Sequence, residues 1–132
     1  MKNKTFEEVM FRFRNIVFTE TFDLIVAIAN GGIIPAAIVN QQLNTKITLL
    51  HINLRDQNQN KKYDFPQLIY PIDFDFANKT VLLVDDRVKT GATFQFASEL
   101  LQQAKKIKTF AVNGKADYKL YDEDCFKFPW II

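Results

Sequence analysis

Short apolar runs separated by polar turns occupy much of this 132-residue chain. Where a run is continuous and rich in β-branched residues, it predicts a buried strand. Because proline cannot donate to a sheet ladder, the run between Pro66 and Pro71 predicts only a short edge strand. The pattern therefore predicts buried strands at 24–29, 46–54, 80–84 and 108–113, and an edge strand at 67–72.

Apolar residues at helical spacing predict three helices between these strands. The first covers 4–18, with Thr5 as its N-cap. The others cover about 34–43 and 91–105. A polar segment without period at 55–64 predicts a loop, and 114–132 predicts an irregular, aromatic tail. Strands that alternate with helices predict an α/β fold, a parallel sheet with helices on both faces.

Composition limits the class of protein. Hydrophobic residues make up 48% and charged residues 24%, which predicts a single globular domain over 1–132. A net charge of +2 is too small to favour nucleic acid or an anionic membrane. Residues 22–39 approach the length of a membrane span, but Asp23, Asn30, two glycines and Pro35 interrupt them. A strand, a turn and a helix explain this segment better.

Cysteine usage and the first residues bear on location. Cys125 is alone, so neither an internal disulfide nor a paired-cysteine zinc site is expected. The first ten residues, MKNKTFEEVM, contain acids and little apolar length, which argues against a secretory signal. We therefore expect a cytoplasmic protein.

The stretch VLLVDDRVKTGATF, residues 81–94, carries the most chemistry. A buried strand leads into Asp85 and Asp86 at its carboxyl end, where open α/β sheets bind ligands. The turn Thr90-Gly91-Ala92-Thr93 offers backbone N–H groups at a helix start, which suits a phosphate. Paired carboxylates suit ribose hydroxyls and Mg²⁺. Alternatively the acids cap a helix and the turn is only a turn. A Walker B strand also ends in an acid, but the chain has no GxxxxGK[ST].

In its order of strand, acids and turn, this stretch resembles the signature of type I phosphoribosyltransferases, which use 5-phosphoribosyl 1-diphosphate and Mg²⁺. The resemblance implies that Asp85 and Asp86 hold the ribose and the metal. It also implies that the 5′-phosphate binds the turn, at Thr90, Gly91, Ala92 and Thr93.

A second segment, VAIANGGIIPA at 26–36, resembles the diphosphate-binding loop of that family. The resemblance makes Asn30, Gly31 and Gly32 substrate-binding residues; the alternative is a glycine turn between strand and helix. The 55–64 segment lies where the family has a mobile loop over the reaction centre. Arg55, Lys61 or Lys62 would then reach the diphosphate, although a solvated surface loop is equally compatible with these residues.

The tail resembles that of the small xanthine/guanine-type phosphoribosyltransferases, which implies a fold with a reduced hood. In that resemblance Lys115 donates to the purine 6-oxygen and Phe126 stacks on the ring near Pro129-Trp130. Cys125 stands where these relatives tend to have an aromatic residue. Alternatively the aromatic tail only packs on its own domain. The sequence does not rank guanine, xanthine and hypoxanthine.

Two positions depart from the family pattern. Asn30 stands where the purine enzymes carry a basic residue, and Lys89 stands where they carry an acid that faces N7 of the base. A lysine can donate but cannot accept a proton from N7. One hypothesis is that the Lys89 charge replaces the missing basic residue near the diphosphate.

Two functions of the family therefore stay open. The first is a Mg²⁺-dependent transferase with Lys89, Asp85 and Asp86 as candidate catalytic residues, acting on 5-phosphoribosyl 1-diphosphate and a 6-oxopurine. The second is a non-catalytic module that binds phosphoribosyl diphosphate or a nucleotide. An unrelated doubly wound binding domain explains the fold but not the motif. We expect the chain to self-associate, as a dimer.

Overall fold

The computed structural model describes residues 3–53 and 65–132. The predicted loop at 55–64, with Arg55, Lys61 and Lys62, lies outside the described residues. In the described part, the elements follow in the order α1 (Phe6–Asn15), β1 (Leu24–Ala29), α2 (Ile33–Leu43), β2 (Lys46–Asn53), β3 (Gln67–Leu68), β4 (Thr80–Arg87), α3 (Ala92–Leu100), β5 (Lys106–Asn113) and β6 (Tyr118–Tyr121).

The strands form one sheet in the order β3-β2-β1-β4-β5-β6. Strands β2, β1, β4, β5 and β6 are parallel, and Leu24 of β1 pairs with Lys46 on one side and Val81 on the other. Strand β3 is antiparallel to β2. The sheet is therefore parallel as predicted except at this edge, where the short strand β3 makes it mixed.

Two hydrophobic cores lie on opposite faces of the sheet. One contains Val9 and Phe13 of α1, Val39 of α2 and the aromatic residues of the tail. The other contains Phe94 and Ala97 of α3. All six residues of β1 are buried because the central strand is covered on both faces. This arrangement confirms the predicted α/β architecture with helices on both faces.

Thr5 caps α1 as predicted. Its Oγ1 accepts a hydrogen bond from the Glu8 N–H at 3.1 Å, and the Glu8 carboxylate accepts one from the Thr5 N–H at 3.4 Å. This reciprocal pair is a capping box, and a cap of this kind contributes about 1 kcal/mol. The helix ends at Asn15, three residues before the predicted boundary.

The structure corrects three other boundaries. Strand β4 continues to Arg87 because its ladder with β5 extends to the pair Arg87 and Asn113. Asp85 and Asp86 therefore lie within the hydrogen-bonded part of the strand, near its end, rather than after it. Helix α3 ends at Leu100, well before 105. The tail is not wholly irregular, because Tyr118–Tyr121 forms β6. Within the described ranges, every helix is too short or too polar to cross a membrane.

Candidate functional site

A cleft of about 1010 Å³ opens at the carboxyl ends of the two central strands, β1 and β4. The chain leaves β1 toward β2 and leaves β4 toward β5, so the strand order reverses between them. Such a point is where open α/β sheets bind ligands. Most of the predicted site residues line this cleft: Asn30, Gly31, Asp85, Asp86, Lys89, Thr90, Gly91, Ala92, Thr93 and Phe126. Gly32 and Lys115 do not.

The two acids lie side by side on the floor of the cleft. Asp85 Oδ1 accepts a hydrogen bond from the backbone N–H of Asp86 at 2.8 Å. Burial raises the pKa of the Asp85 carboxyl well above its usual range, and the neighbouring Asp86 charge raises it further. A ligand that donates hydrogen bonds or brings positive charge to these oxygens would favour the ionised form.

The turn between β1 and α2 lies directly against the second acid. A Cβ atom added at Gly31 would be 2.7 Å from the carboxyl of Asp86. A side chain at this position would therefore fill the space that the carboxyl occupies. The preceding peptide bond, between Ala29 and Asn30, is cis. Glycine at 31 thus allows the turn and the acids to line one cleft.

Gly32 has a different task. A Cβ atom there would lie 2.2 Å from the carbonyl oxygen of Val84 and 2.8 Å from that of Ile28. Because both neighbours are backbone atoms of central strands, only glycine lets α2 begin this close to the sheet. The structure therefore gives Gly32 a packing role, and it does not line the cleft.

The second turn, between β4 and α3, presents backbone to the cleft. Gly91 is the N-cap of α3 with φ of 85°, and no side chain caps this helix. A Cβ atom at Gly91 would meet nothing within 4 Å, so its conformation rather than crowding calls for glycine. The Ala92 N–H donates to Thr90 Oγ1 at 3.2 Å. A helix start with an uncapped first turn is suited to an anion.

The tail forms the wall opposite this turn. Phe126 lines the cleft but is only 2% exposed, and its ring meets those of Tyr121 and Phe128 edge to face. The exposed side chains of this wall are Cys125, Lys127 and Ile131. Lys115 is exposed on the β5–β6 connection and is not part of the lining.

Among the further residues that line the cleft, the sequence pattern did not single out Arg87, His51 and Tyr70. Arg87 lies between the predicted end of the strand at 84 and the predicted turn at 90–93, where no role was assigned to it. The His51 ring lies edge-on to Tyr70, with 4.9 Å between centroids. Nothing in the local pattern around Tyr70 signals this contact, since it depends on β3 returning beside β2.

The donor set at the cleft bears on a metal. In residues 3–53 and 65–132, no three His, Cys, Asp or Glu side chains gather into a metal cage. Mg²⁺ is usually bound by one or two carboxylates together with substrate phosphates and waters. The adjacent Asp85 and Asp86 carboxylates, beside an anion-binding turn, match that mode of binding.

Comparisons with known proteins agree on one family. Residues 3–131 match the model of the phosphoribosyl transferase domain. The xanthine-guanine phosphoribosyltransferase of Idiomarina loihiensis is 30% identical over 84% of this chain and 72% of its own. That of Chromohalobacter salexigens is 36% identical over 83% and 68%. The crystal structure of a purine phosphoribosyltransferase from Pyrococcus horikoshii superposes with a TM-score of 0.80 at 25% identity, over 98% of this chain and 92% of that one.

Proposed function

Because the chain belongs to the phosphoribosyl transferase domain family, we propose that it transfers 5-phosphoribose from 5-phosphoribosyl 1-diphosphate to a 6-oxopurine base in purine salvage. Its fold is the type I phosphoribosyltransferase fold. In this reaction a bond forms between a ring nitrogen of the base and C1′ of the ribose, and the proton on that nitrogen passes to water or to the departing diphosphate. The bond from C1′ to the diphosphate oxygen breaks, and its electron pair leaves with the diphosphate.

One observation carries the proposal. A single cleft brings together the paired acids of β4, the phosphate-type turn at Gly91 and the turn at Asn30-Gly31. Each of these suits one part of the donor molecule, namely the ribose, the 5′-phosphate and the diphosphate. Their meeting at one edge of the sheet supports a site in which these three parts surround one sugar.

Each residue then has a task in the proposed reaction. Asp85 and Asp86 accept hydrogen bonds from the ribose hydroxyls. The backbone and hydroxyls of residues 90–93 bind the 5′-phosphate, and Asn30 and Gly31 bind the diphosphate. Catalysis consists of holding the two reactants in line and stabilising the departing charge, so little covalent help from the protein is needed.

The same two carboxylates are the residues that would hold Mg²⁺. When bound, the ion supplies positive charge to the diphosphate oxygens, which eases their departure. Neutralisation of like charges on Asp85 and Asp86 would also offset the burial that raises the pKa of Asp85.

The choice of base rests on the relatives. The two bacterial proteins are named for xanthine and guanine, and both are 6-oxopurines. Lys115 was predicted to donate to the 6-oxygen. Since its side chain is exposed outside the cleft lining, that role requires the β5–β6 connection to move toward the base. Phe126 is too enclosed by Tyr121 and Phe128 to offer a free ring face as it stands.

We also propose a cytoplasmic homodimer. Exposed large apolar side chains, including Leu49, Phe65 and Tyr70, lie along the β2–β3 side of the molecule and would be covered by a second copy. Sedimentation at micromolar concentration measures this directly. A monomer at all concentrations contradicts the dimer and leaves the proposed reaction intact.

The proposed reaction is tested with the purified protein, phosphoribosyl diphosphate and Mg²⁺. Guanine, xanthine, hypoxanthine, adenine and uracil are supplied one at a time, and the nucleotide formed is measured. We expect product with at least one 6-oxopurine and none with adenine or uracil. Product with adenine instead contradicts the 6-oxopurine class.

Lys89 and Asn30 favour a second candidate, a non-catalytic module that binds phosphoribosyl diphosphate or a nucleotide. Lys89 lines the cleft and is exposed, and a lysine ammonium donates hydrogen bonds but accepts none. The same assay separates the two candidates. No nucleotide with any base, together with calorimetric binding of phosphoribosyl diphosphate, supports the module and rejects the enzyme.

A further inference from the structure

Arg87 makes two contacts that join separate parts of the cleft. It is the last residue of β4 and follows the two acids directly. Its Nη2 donates a hydrogen bond to the backbone carbonyl of Phe126 at 2.8 Å. Its guanidinium lies 4.7 Å above the ring of Phe128. One side chain therefore connects the sugar side of the cleft with the tail wall.

The tail wall is held largely by packing, because Phe126 and Phe128 are each 2% exposed within the hydrophobic core. Strand β6 ends at Tyr121, so residues 122–132 have no ladder partner in the part of the chain that the structure describes. The Asn113 side chain holds the start of this segment, because it donates to the Glu123 carbonyl and accepts from the Glu123 N–H, both at 3.0 Å. Phe128 stacks on Trp130 at its far end. To this packing, Arg87 adds a hydrogen bond from the strand that carries the acids.

Stability alone does not account for an arginine here. Its Nε is buried and has no hydrogen-bond partner in the described residues. A buried donor without a partner costs free energy, and an apolar side chain of similar length would pack against Phe128 without that cost. A buried polar group without a partner in a folded protein calls for a functional explanation.

We propose that Arg87 is a positioning residue that holds the tail wall at 126–128 in register with Asp85 and Asp86. The wall then presents the acceptor base to the sugar bound at the acids. This inference rests on the proposed function. It predicts that Arg87 acts more on the base than on the phosphoribosyl diphosphate, because both of its side-chain contacts run to the tail, at Phe126 and Phe128.

The test uses Arg87→Met, which keeps an unbranched stem above Phe128 but has no donor. We expect the KM for the base to rise about tenfold, as for loss of one charge-assisted hydrogen bond. The KM and the calorimetric Kd for phosphoribosyl diphosphate should change less than the KM for the base, because neither contact of Arg87 is to a residue assigned to that substrate. Arg87→Lys keeps a donor but lacks the planar group, so its KM for the base should be intermediate.

Arg12 supplies a matched control. Its Nη1 donates to the backbone carbonyl of Leu120 at 3.2 Å, and its guanidinium lies 4.7 Å above the Tyr121 ring. This is the same pair of contacts, but Arg12 does not line the cleft. Arg12→Met should therefore lower the Tm without changing the KM for the base.

Four outcomes of these measurements decide the inference. Suppose that the wild type forms nucleotide and that Arg87→Met leaves the KM for the base unchanged. This result rejects the role of Arg87 but leaves the proposed function standing. Equal rises in both KM values point to general loss of structure and reject that role too. If the wild type forms no product but binds a purine nucleotide, Arg87→Met must weaken the binding of that nucleotide more than the binding of phosphoribosyl diphosphate. Equal weakening of both rejects the inference. A wild type that binds neither rejects the proposed function, and the inference with it.

Discussion

At Asp85, a carboxyl that is suited to ligand binding lowers the stability of the free protein. Burial and the Asp86 charge raise its pKa above the value in the unfolded chain. Below the unfolded-state pKa both states are protonated and there is no cost. As the pH rises through the higher folded-state pKa, the folded protein must ionise a carboxyl that its surroundings disfavour, so stability is lost. At a pH above the unfolded-state value, this carboxyl therefore destabilises the free protein.

Asp85→Asn should consequently raise the Tm at pH 7 and lower the activity by about tenfold or more, because the amide replaces one acceptor of a ribose hydroxyl. The gain in Tm should vanish in acid, where the wild-type carboxyl is also neutral. Thermal unfolding between pH 4 and 8 measures this. The exposed Asp73, which does not line the cleft, supplies the control Asp73→Asn. A lower Tm for Asp85→Asn at neutral pH would contradict the argument.

Lys89 is the residue on which the hypothesis of charge compensation depends. It is exposed and shares the cleft with Asn30, which has no charge to offer a diphosphate. Lys89→Ala should raise the KM for phosphoribosyl diphosphate roughly fivefold, as expected for loss of one exposed, screened charge contact. The effect should shrink at high salt.

The comparison for Lys89 is Lys119→Ala, which removes an exposed lysine from β6 outside the cleft. Both variants change the net charge equally, so a general effect of charge would appear in both. If Lys89→Ala left the dependence on diphosphate unchanged, the compensation hypothesis would be abandoned.

At the scale of elements, the two glycine turns separate packing from binding. Gly32→Ala forces a Cβ atom against the Val84 carbonyl oxygen at 2.2 Å, so the start of α2 must shift. It should destabilise the protein by about 1–3 kcal/mol. Gly91→Ala meets open space and is strained only by its φ of 85°. It should mainly weaken the binding of phosphoribosyl diphosphate. Calorimetry measures that binding, and thermal unfolding measures the Tm of both variants. A larger Tm loss for Gly91→Ala would reverse these assignments.

Several strands and helices could be predicted from the sequence because their patterns are local. Continuous burial marks β1, and the capping box of Thr5 with Glu8 marks the start of α1. Strand β6 was missed because parallel neighbours ordinarily need a crossover of a dozen residues or more. Here four residues, 114–117, connect β5 to β6. Hydrogen bonds between Thr109 and Asp117 hold this tight return.

In the candidate site too, residues in a local motif could be predicted and contacts between distant parts of the chain could not. The motif residues at 85–93 are contiguous, and the structure places them in one cleft. Arg87 was not predicted as a link because its partners, Phe126 and Phe128, lie some forty residues away in sequence. The burial of Phe126 follows from Tyr121 and Phe128 meeting its ring, and no local pattern encodes such an encounter.

For the whole molecule, the sheet separates function from anchoring. The cleft lies at the carboxyl ends of the parallel strands. Near their amino ends, the Asp23 carboxylate accepts a hydrogen bond from the Thr80 N–H at 2.9 Å. Glu20 lies 2.9 Å from Lys106 Nζ and 3.6 Å from Lys108 Nζ, and it accepts a hydrogen bond from the Tyr118 hydroxyl. Charges at this edge tie the α1–β1 connection to β5 and β6.

The Glu20 cluster should therefore affect stability and leave catalysis alone. The Tyr118 hydroxyl, and then Lys106, hold the pKa of Glu20 below its ordinary value of 4.5. A lowered folded-state pKa gives stability that is fully present above the unfolded-state value and is lost as the pH falls through the folded-state value. Glu20→Gln should lower the Tm at pH 7, and the difference from wild type should disappear in acid. Glu99→Gln, on the exposed side of α3, should leave the Tm unchanged at both pH values. Both variants should keep wild-type kcat and KM, whereas a raised KM in Glu20→Gln would show that the two edges of the sheet are coupled.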